Sequence, residues 1–301
     1  MKEIKMRSNI LIDFEAMCYN ALVEEVITTP KPGLVDLASS GAHNDMSLMT
    51  FINSAKAIVP FLGSMAEYTY FTRDSMQGMF TKVQAIGIEA EHAMYEATKG
   101  INTHKGAIFS MGIIVAAAGC VLSRQQEYNC TNLFETAKAL CSVHISNYLS
   151  EIKSLNTPTS NGEKLYCLMG IPGVRGEAQR GFPSVREFGL PVLKEMIKEG
   201  FSYNDAKLQA LMVLMSKVDD TTVISRVGID GLRVMQSTIK NLLHEGGVRK
   251  VENIERLYWL DEVFMQDNIS AGGCADLLGL TILINNIEMH FSNKYSNFSV
   301  L

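Results

Sequence analysis

An all-α fold is predicted by two observations: apolar residues recur at intervals of three and four along nearly the whole chain, and alternating, strand-like runs are almost absent. A third observation makes it a globular one. Of the 301 residues, 47% are apolar and 20% charged, the proportions of a chain that buries a core. The first stripe runs through Ile10, Leu11, Phe14, Met17, Cys18, Ala21 and Leu22, with acids between them. Similar stripes occupy 46–59, 76–98, 131–152, 184–198, 204–217, 230–243, 251–265 and 274–289. Asp13, Asn132, Asn204 and Asp230 stand where helix N-caps are expected, and Gly87, Gly100, Gly170 and Gly200 punctuate ends or close contacts. The best strand-like run, from Thr221 to Ile224, is short. Neither an internal repeat nor an obvious linker is present, and Tyr68–Gln77 and Lys153–Thr159 read as surface loops. The expectation is a single domain over residues 1–301 with roughly ten or more helices.

The charge balance, 27 basic against 32 acidic residues for a net −5, with no Lys/Arg run, argues against nucleic acid or an anionic membrane as partner. An anionic ligand must be held by a local pocket. Cys18, Cys120, Cys130, Cys141, Cys167 and Cys274 form no CxxC pair and no zinc spacing, which fits a reducing compartment. The segment after Met1 carries Asp13 and Glu15 and lacks a signal peptide's apolar core, so the expected location is the cytoplasm. Gly106–Leu122 is apolar apart from Ser110, but its 17 residues lie at the bottom of the spanning range, and a buried helix is the reading.

Between the stripes lie seven polar islands. Prolines 30 and 32 keep the first non-helical, and together with the second it gathers Lys31, Asp36, His43 and Asp45. The third, Asn102-Thr103-His104-Lys105-Gly106, opens the most apolar helix, where free backbone N–H groups beside Lys and His suit an anionic oxygen. The same residues also serve as a plain helix cap. The fourth holds Asn161, Glu163 and Lys164. The fifth spans Gly173 to Pro183, where Arg175 offers a guanidinium fork beside glycines. The sixth is Asp219-Asp220, read as closing a helix. Two acids there oppose the macrodipole, a cost that a bound Mg²⁺ bridging phosphates would offset. The seventh, Ser270–Asp276, opens the last apolar helix. No P-loop and no GxGxxG is present.

At these residues the chain resembles the triphosphoribosyl-dephospho-CoA synthases that serve citrate lyase and malonate decarboxylase. The matching stretches are TTPKPGLVD (28–36), SGAHNDM (40–46), NTHKGAIFS (102–110), SNGEKLY (160–166), GVRGEA (173–178), GFPSVRE (181–187), MSKVDDTTV (215–223) and AGGCADLL (271–278). They keep the family's order over roughly residues 14–290. The resemblance implies an all-α enzyme in which the 2′-hydroxyl of 3′-dephospho-CoA attacks the anomeric carbon of ATP and adenine leaves. The product is the precursor of an acyl-carrier-protein prosthetic group. It further implies Mg²⁺, and possible partnership with a companion holo-carrier-protein transferase or a second copy as a homodimer. In the family's last motif a Pro and a Ser stand where this chain has Ala271 and Cys274, so a phosphate contact from that Ser would be weakened here.

The site expectations follow from the matched positions. Asp36, His43, His104 and Glu177 are the catalytic candidates, as general base or sugar contacts. Lys31, Asn102, Lys105, Asn161, Glu163, Lys164, Arg175 and Arg186 are expected to bind the nucleotides, and Asp45, Asp219, Asp220 and Asp276 the metal. Two rival classes are a helical Mg²⁺-dependent diphosphate enzyme and a non-catalytic partner-binding protein. The first needs a further acid one helical turn on, where this chain reads Asp-Asp-Thr-Thr-Val; the second binds no nucleotide.

Overall fold

The computed structural model describes residues 2–124, 129–154 and 158–296. Twelve α-helices account for most of them, and no strand occurs among the described residues. In chain order they are α1 (Lys2–Ile27), α2 (Leu48–Phe71), α3 (Met76–Ala97), α4 (Lys105–Ser123), α5 (Cys130–Ser154), α6 (Asn161–Met169), α7 (Gly173–Gln179), α8 (Leu190–Lys198), α9 (Tyr203–Lys217), α10 (Thr221–His244), α11 (Glu252–Gln266) and α12 (Gly272–Ser296). A π-helical turn, Val185–Gly189, leads into α8, and a 3₁₀ turn, Gly247–Arg249, follows α10.

Helix α4 is the axis of the fold. Fifteen of its residues are buried, from Ala107 to Leu122, because it is apolar on every face and is wrapped by α2, α3, α5 and α12. Its small residues let α2 approach closely. A Cβ on Gly119 would stand 2.4 Å from the Ala66 carbonyl oxygen and 2.3 Å from Thr69 Oγ1. The long helix α12 packs against α1 and α4, with Phe14 and Phe291 ring centroids 5.8 Å apart. Buried residues from Ile10 to Phe291 join in one connected cluster. Full desolvation of a Leu, Ile or Phe contributes roughly 1.5–3 kcal/mol, so this cluster dominates the stabilisation.

The helical stripes stand where the periodicity puts them, but several caps do not. Asp13 lies within α1, and Asp230 within α10, two residues after a kink at Gly228 (φ 76°). Asn132 is inside α5, and Asn204 follows the true cap of α9, Ser202, whose hydroxyl accepts from Asp205 N–H. Instead, Asn204 pins the chain after α1: Thr29 N–H donates to Asn204 Oδ1 at 3.0 Å, and Asn204 Nδ2 donates to Thr29 O at 2.7 Å. Thr221–Ile224 is the first turn of α10, not a strand. Of the loop expected at Lys153–Thr159, residues 155–157 lie outside the described residues.

Candidate functional site: a cleft of helix starts

The first turns of α4, α6, α10 and α12 border one cleft of about 1180 Å³, which is also lined by the 28–47 loop, α7 and the π turn. Its volume exceeds the roughly 300–1,000 Å³ typical of a single small-ligand pocket. Each helix start carries partial positive charge from unpaired N–H groups. At α6 they are satisfied by a capping box of Ser160 and Glu163. At α10 they are satisfied by Asp220. The N-cap of α4, His104, makes no such side-chain bond. Asn102 Oδ1 accepts from Lys105 N–H, at 3.2 Å.

Asp220 ties two helices together. Its Oδ1 accepts from Thr222 N–H (2.8 Å) and Val223 N–H (3.2 Å), and its Oδ2 from Cys274 N–H at 2.8 Å. The Asp-Asp pair therefore stands at the positive start of α10, and the dipole penalty expected at the end of α9 does not arise. Burial raises the Asp220 pKa, and the N–H donors counter it only in part. The Cys274 side chain is fully buried against Asp220, away from the cleft, and burial pushes its thiol well up. Cys274 thus takes the place of no phosphate contact.

Asp276, one turn into α12, carries its carboxylate over α4. A Cβ on Gly106 would meet Asp276 Oδ2 at 2.0 Å, so only glycine leaves room. Desolvation, followed by the charges of Glu25 and Asp220, raises the Asp276 pKa well above the carboxylate range. Glu25, at the end of α1, is itself paired with Lys31, whose ammonium also donates to Glu25 O at 2.9 Å. Both are buried.

The 28–47 loop is held from inside. Asp36 Oδ2 accepts from Lys31 N–H at 2.9 Å, and Oδ1 from Ala38 and Ser39 N–H at 2.7 and 2.8 Å. Asp261 of α11, which the sequence did not single out, accepts from Gly33 N–H and Ser39 Oγ, each at 2.8 Å. Arg226 joins the loop to the 268–270 turn through Ala42 O and Asn268. His43 Nε2 lies 2.9 Å from Ser270 Oγ on the cleft wall. Burial and Arg226 lower its pKa.

Across the cleft, Arg175 stacks on Tyr148, its guanidinium carbon 4.7 Å from the ring centroid. Tyr148 Oη donates to Glu163 Oε1 at 2.9 Å. Glu163 also accepts from Thr159 and Ser160 N–H, and these bonds hold its pKa down to about 2, the Thr159 backbone bond contributing most. Glu177 accepts from Ser184 N–H at 3.0 Å and from its hydroxyl at 2.9 Å.

Of the sequence-predicted residues, Lys31, His43, Asn102, His104, Lys105, Asn161, Glu163, Arg175, Glu177, Asp219, Asp220 and Asp276 line the cleft. Four do not. Asp36 is spent on loop N–H groups, and Asp45 is an exposed residue 3.8 Å from His43 Nδ1. Lys164 points to solvent, and Arg186 pairs with its neighbour Glu187 at 2.8 Å. The four acids expected to hold a metal are not gathered: among the described residues no three His, Cys, Asp or Glu side chains form a metal cage. Glu25, Lys217, Arg180 and Ser270 also line the cleft; they lie within the polar islands or the matched stretches but were not singled out as site residues.

Residues 13–295 match the family model CitG, ATP:dephospho-CoA triphosphoribosyl transferase. A 2-(5''-triphosphoribosyl)-3'-dephosphocoenzyme-A synthase of Pectobacterium atrosepticum is 38% identical over 91% of this chain and 89% of its own length. Proteins described as probable synthases of the same name, from Photobacterium profundum and Malonomonas rubra, are 40% and 37% identical. They cover 92% and 89% of this chain, and 88% and 85% of their own lengths. No solved structure matches. With an all-α fold, a cleft that gathers the shared motifs, and a match over nearly its whole length, the chain belongs to the CitG family of ATP:dephospho-CoA triphosphoribosyl transferases.

Proposed function

We propose that the cleft transfers the 5-triphosphoribosyl group of ATP to the 2′-hydroxyl of 3′-dephospho-CoA and releases adenine, making the prosthetic-group precursor of an acyl carrier protein such as that of citrate lyase or malonate decarboxylase. The observation that carries this reading is the meeting of four helix starts and a group of acids in one cleft with room for two nucleotides. Phosphates suit the helix starts, above all that of α4, whose N-cap His104 makes no side-chain capping bond, with Arg175, Lys105, Arg180 and Lys217 as cations around them. Lys31 is committed to Glu25 and acts on the site through its charge.

Breaking a ribosyl–adenine bond builds positive charge on the sugar, and a carboxylate-rich floor of Glu25, Glu177, Asp220 and Asp276 stabilises it. The attacking hydroxyl must lose its proton. Asp36 lies outside the cleft, and His104, with a pKa lowered to about 3 by burial and by Lys31, is a poor base. His43 and Glu177 remain as the bases on the wall.

Mg²⁺ fits this donor set as a metal carried in with the triphosphate, since such sites use one or two carboxylates and substrate oxygens instead of a protein cage. Asp219 and Asp276, which show no hydrogen bond among the described residues, would hold it, Asp276 giving up its proton when the cation binds, and the cation's charge would offset that of the phosphates. The test is to incubate the protein with ATP, 3′-dephospho-CoA and Mg²⁺ and follow products by mass spectrometry. Free adenine and a triphosphoribosyl adduct are expected; ADP or AMP would overturn the reading.

A further inference from the structure

His104 is 2% exposed and is gripped on three sides. Its backbone N–H donates to Met94 Sδ at 3.2 Å, and its ring meets Phe51 edge-on, centroids 5.0 Å apart at 89°. Ring Nδ1 lies 2.7 Å from Ser54 Oγ, and that same oxygen accepts from Thr103 Oγ1, also at 2.7 Å. Ser54 is fully buried and has one hydroxyl hydrogen. With Thr103 donating to it, that hydrogen goes to His104 Nδ1. Nδ1 is then the acceptor, and the neutral ring carries its hydrogen on Nε2. Nε2 is buried, and no atom of the described residues accepts from it. A buried donor without an acceptor is rare in a native protein, and at a cleft wall it points to a ligand atom.

The surroundings say which kind of atom. Phe51, Tyr95 and Met46 line the cleft beside His104, an aromatic and thioether corner in a site otherwise bordered by helix starts and charges. Such side chains take the flat faces of a purine, whose ring nitrogens are acceptors. We infer that Ser54, oriented by Thr103, holds His104 as the Nε2–H tautomer so that it donates a hydrogen bond to N3 or N7, the ring nitrogens flanking the broken bond, of the adenine that leaves ATP. The inference rests on the reaction proposed above. In that reaction the C1′–N9 bond breaks with its electron pair going to adenine, and the bond from the 2′-oxygen to C1′ forms. The proton lost by the hydroxyl is balanced by the one adenine gains. His104 keeps its own hydrogen throughout and stabilises charge on the departing base. Ser54 is a positioning residue; it touches His104, not the substrate.

The test combines tautomer and turnover. In protein carrying ¹⁵N-histidine, the His104 resonances are expected to show an unprotonated Nδ1 and a protonated Nε2. Ser54→Ala should lose that preference and lower kcat for adenine release roughly 10–100-fold, as removal of a partner that orients a histidine does. KM for both substrates and the melting temperature should stay near wild type, and Ser54→Thr should restore most of the rate. Of 3-deaza-ATP and 7-deaza-ATP, the one lacking the accepted nitrogen should react with the wild type about as slowly as ATP does with His104→Phe. A protonated Nδ1 in the wild type, a folded Ser54→Ala protein with wild-type kcat, or equal turnover of ATP and both analogues overturns the inference. If Ser54→Ala does not fold, the wild-type tautomer and the two analogues decide. A wild type that releases no adenine contradicts the reaction itself, whatever its tautomer.

Discussion

Gly106 and Asp276 meet at the point where α4 and α12 begin. A methyl group on residue 106 would stand 2.0 Å from Asp276 Oδ2, and the side chain, not the helix, would give way. Gly106→Ala is therefore expected to fold normally, since alanine is the better helix former by about 1 kcal/mol. Turnover should fall roughly a hundredfold, the scale of a misplacement of about 1 Å; steady-state kinetics beside a thermal melt would show it. The neighbouring His104 makes a prediction about pH. Its pKa is about 3 in the folded chain against 6.5 when unperturbed. Above pH 6.5 both states hold a neutral ring. Below it the unfolded chain binds a proton that the folded chain refuses, so stability drops as pH falls from 6.5 toward 3. The melting temperature of His104→Phe should fall less steeply over that interval; equal slopes would show that the ring is not held neutral. Residue type and spacing revealed that His104 stood at a helix start, but not that Ser54, fifty positions earlier within an apolar stripe, lies 2.7 Å from its Nδ1.

At the scale of the element, periodicity made the helices legible because a core-facing stripe repeats whatever the partner. The caps were less legible, because a cap is chosen by where the chain turns, and that depends on packing between distant segments. Asn204 illustrates it: it sits beside a helix start yet bonds Thr29, 175 positions away. Ser160 and Glu163 carried the S-x-x-E spacing of a capping box in plain view, and the structure gives Glu163 that task on the cleft rim. Asp219-Asp220 was read at the wrong helix end, since the short break between α9 and α10, Val218 to Asp220, leaves little trace in composition. Asp220→Ala removes the acceptor for N–H groups of both α10 and α12. The expected loss is about 1–3 kcal/mol, seen as a lower urea midpoint with an unchanged slope, along with loss of turnover. An unchanged midpoint would mean that the two helix starts do not depend on this tie.

The whole molecule is a buried helix, α4, inside a shell of others, with its start left open to a polar cleft. A net charge of −5 makes that arrangement necessary for an anionic substrate, because attraction must come from local helix starts and cations instead of an overall field. The all-α class was readable from the apolar stripes, and most of the residues lining the cleft from seven polar islands. Their assembly into one wall was not, because it brings Glu25, the 102–106 turn and Asp276 together from three distant parts of the chain. The central claim is that the enzyme moves the ribosyl end of ATP and keeps its three phosphates. The direct measurement uses ATP labelled separately in adenine and in the γ-phosphate, with 3′-dephospho-CoA as acceptor. The account predicts the adenine label free in solution and the γ-phosphate label on the CoA-derived product, in equal amounts. A γ-label released as phosphate or pyrophosphate, or an adenine label retained on the product, would contradict it.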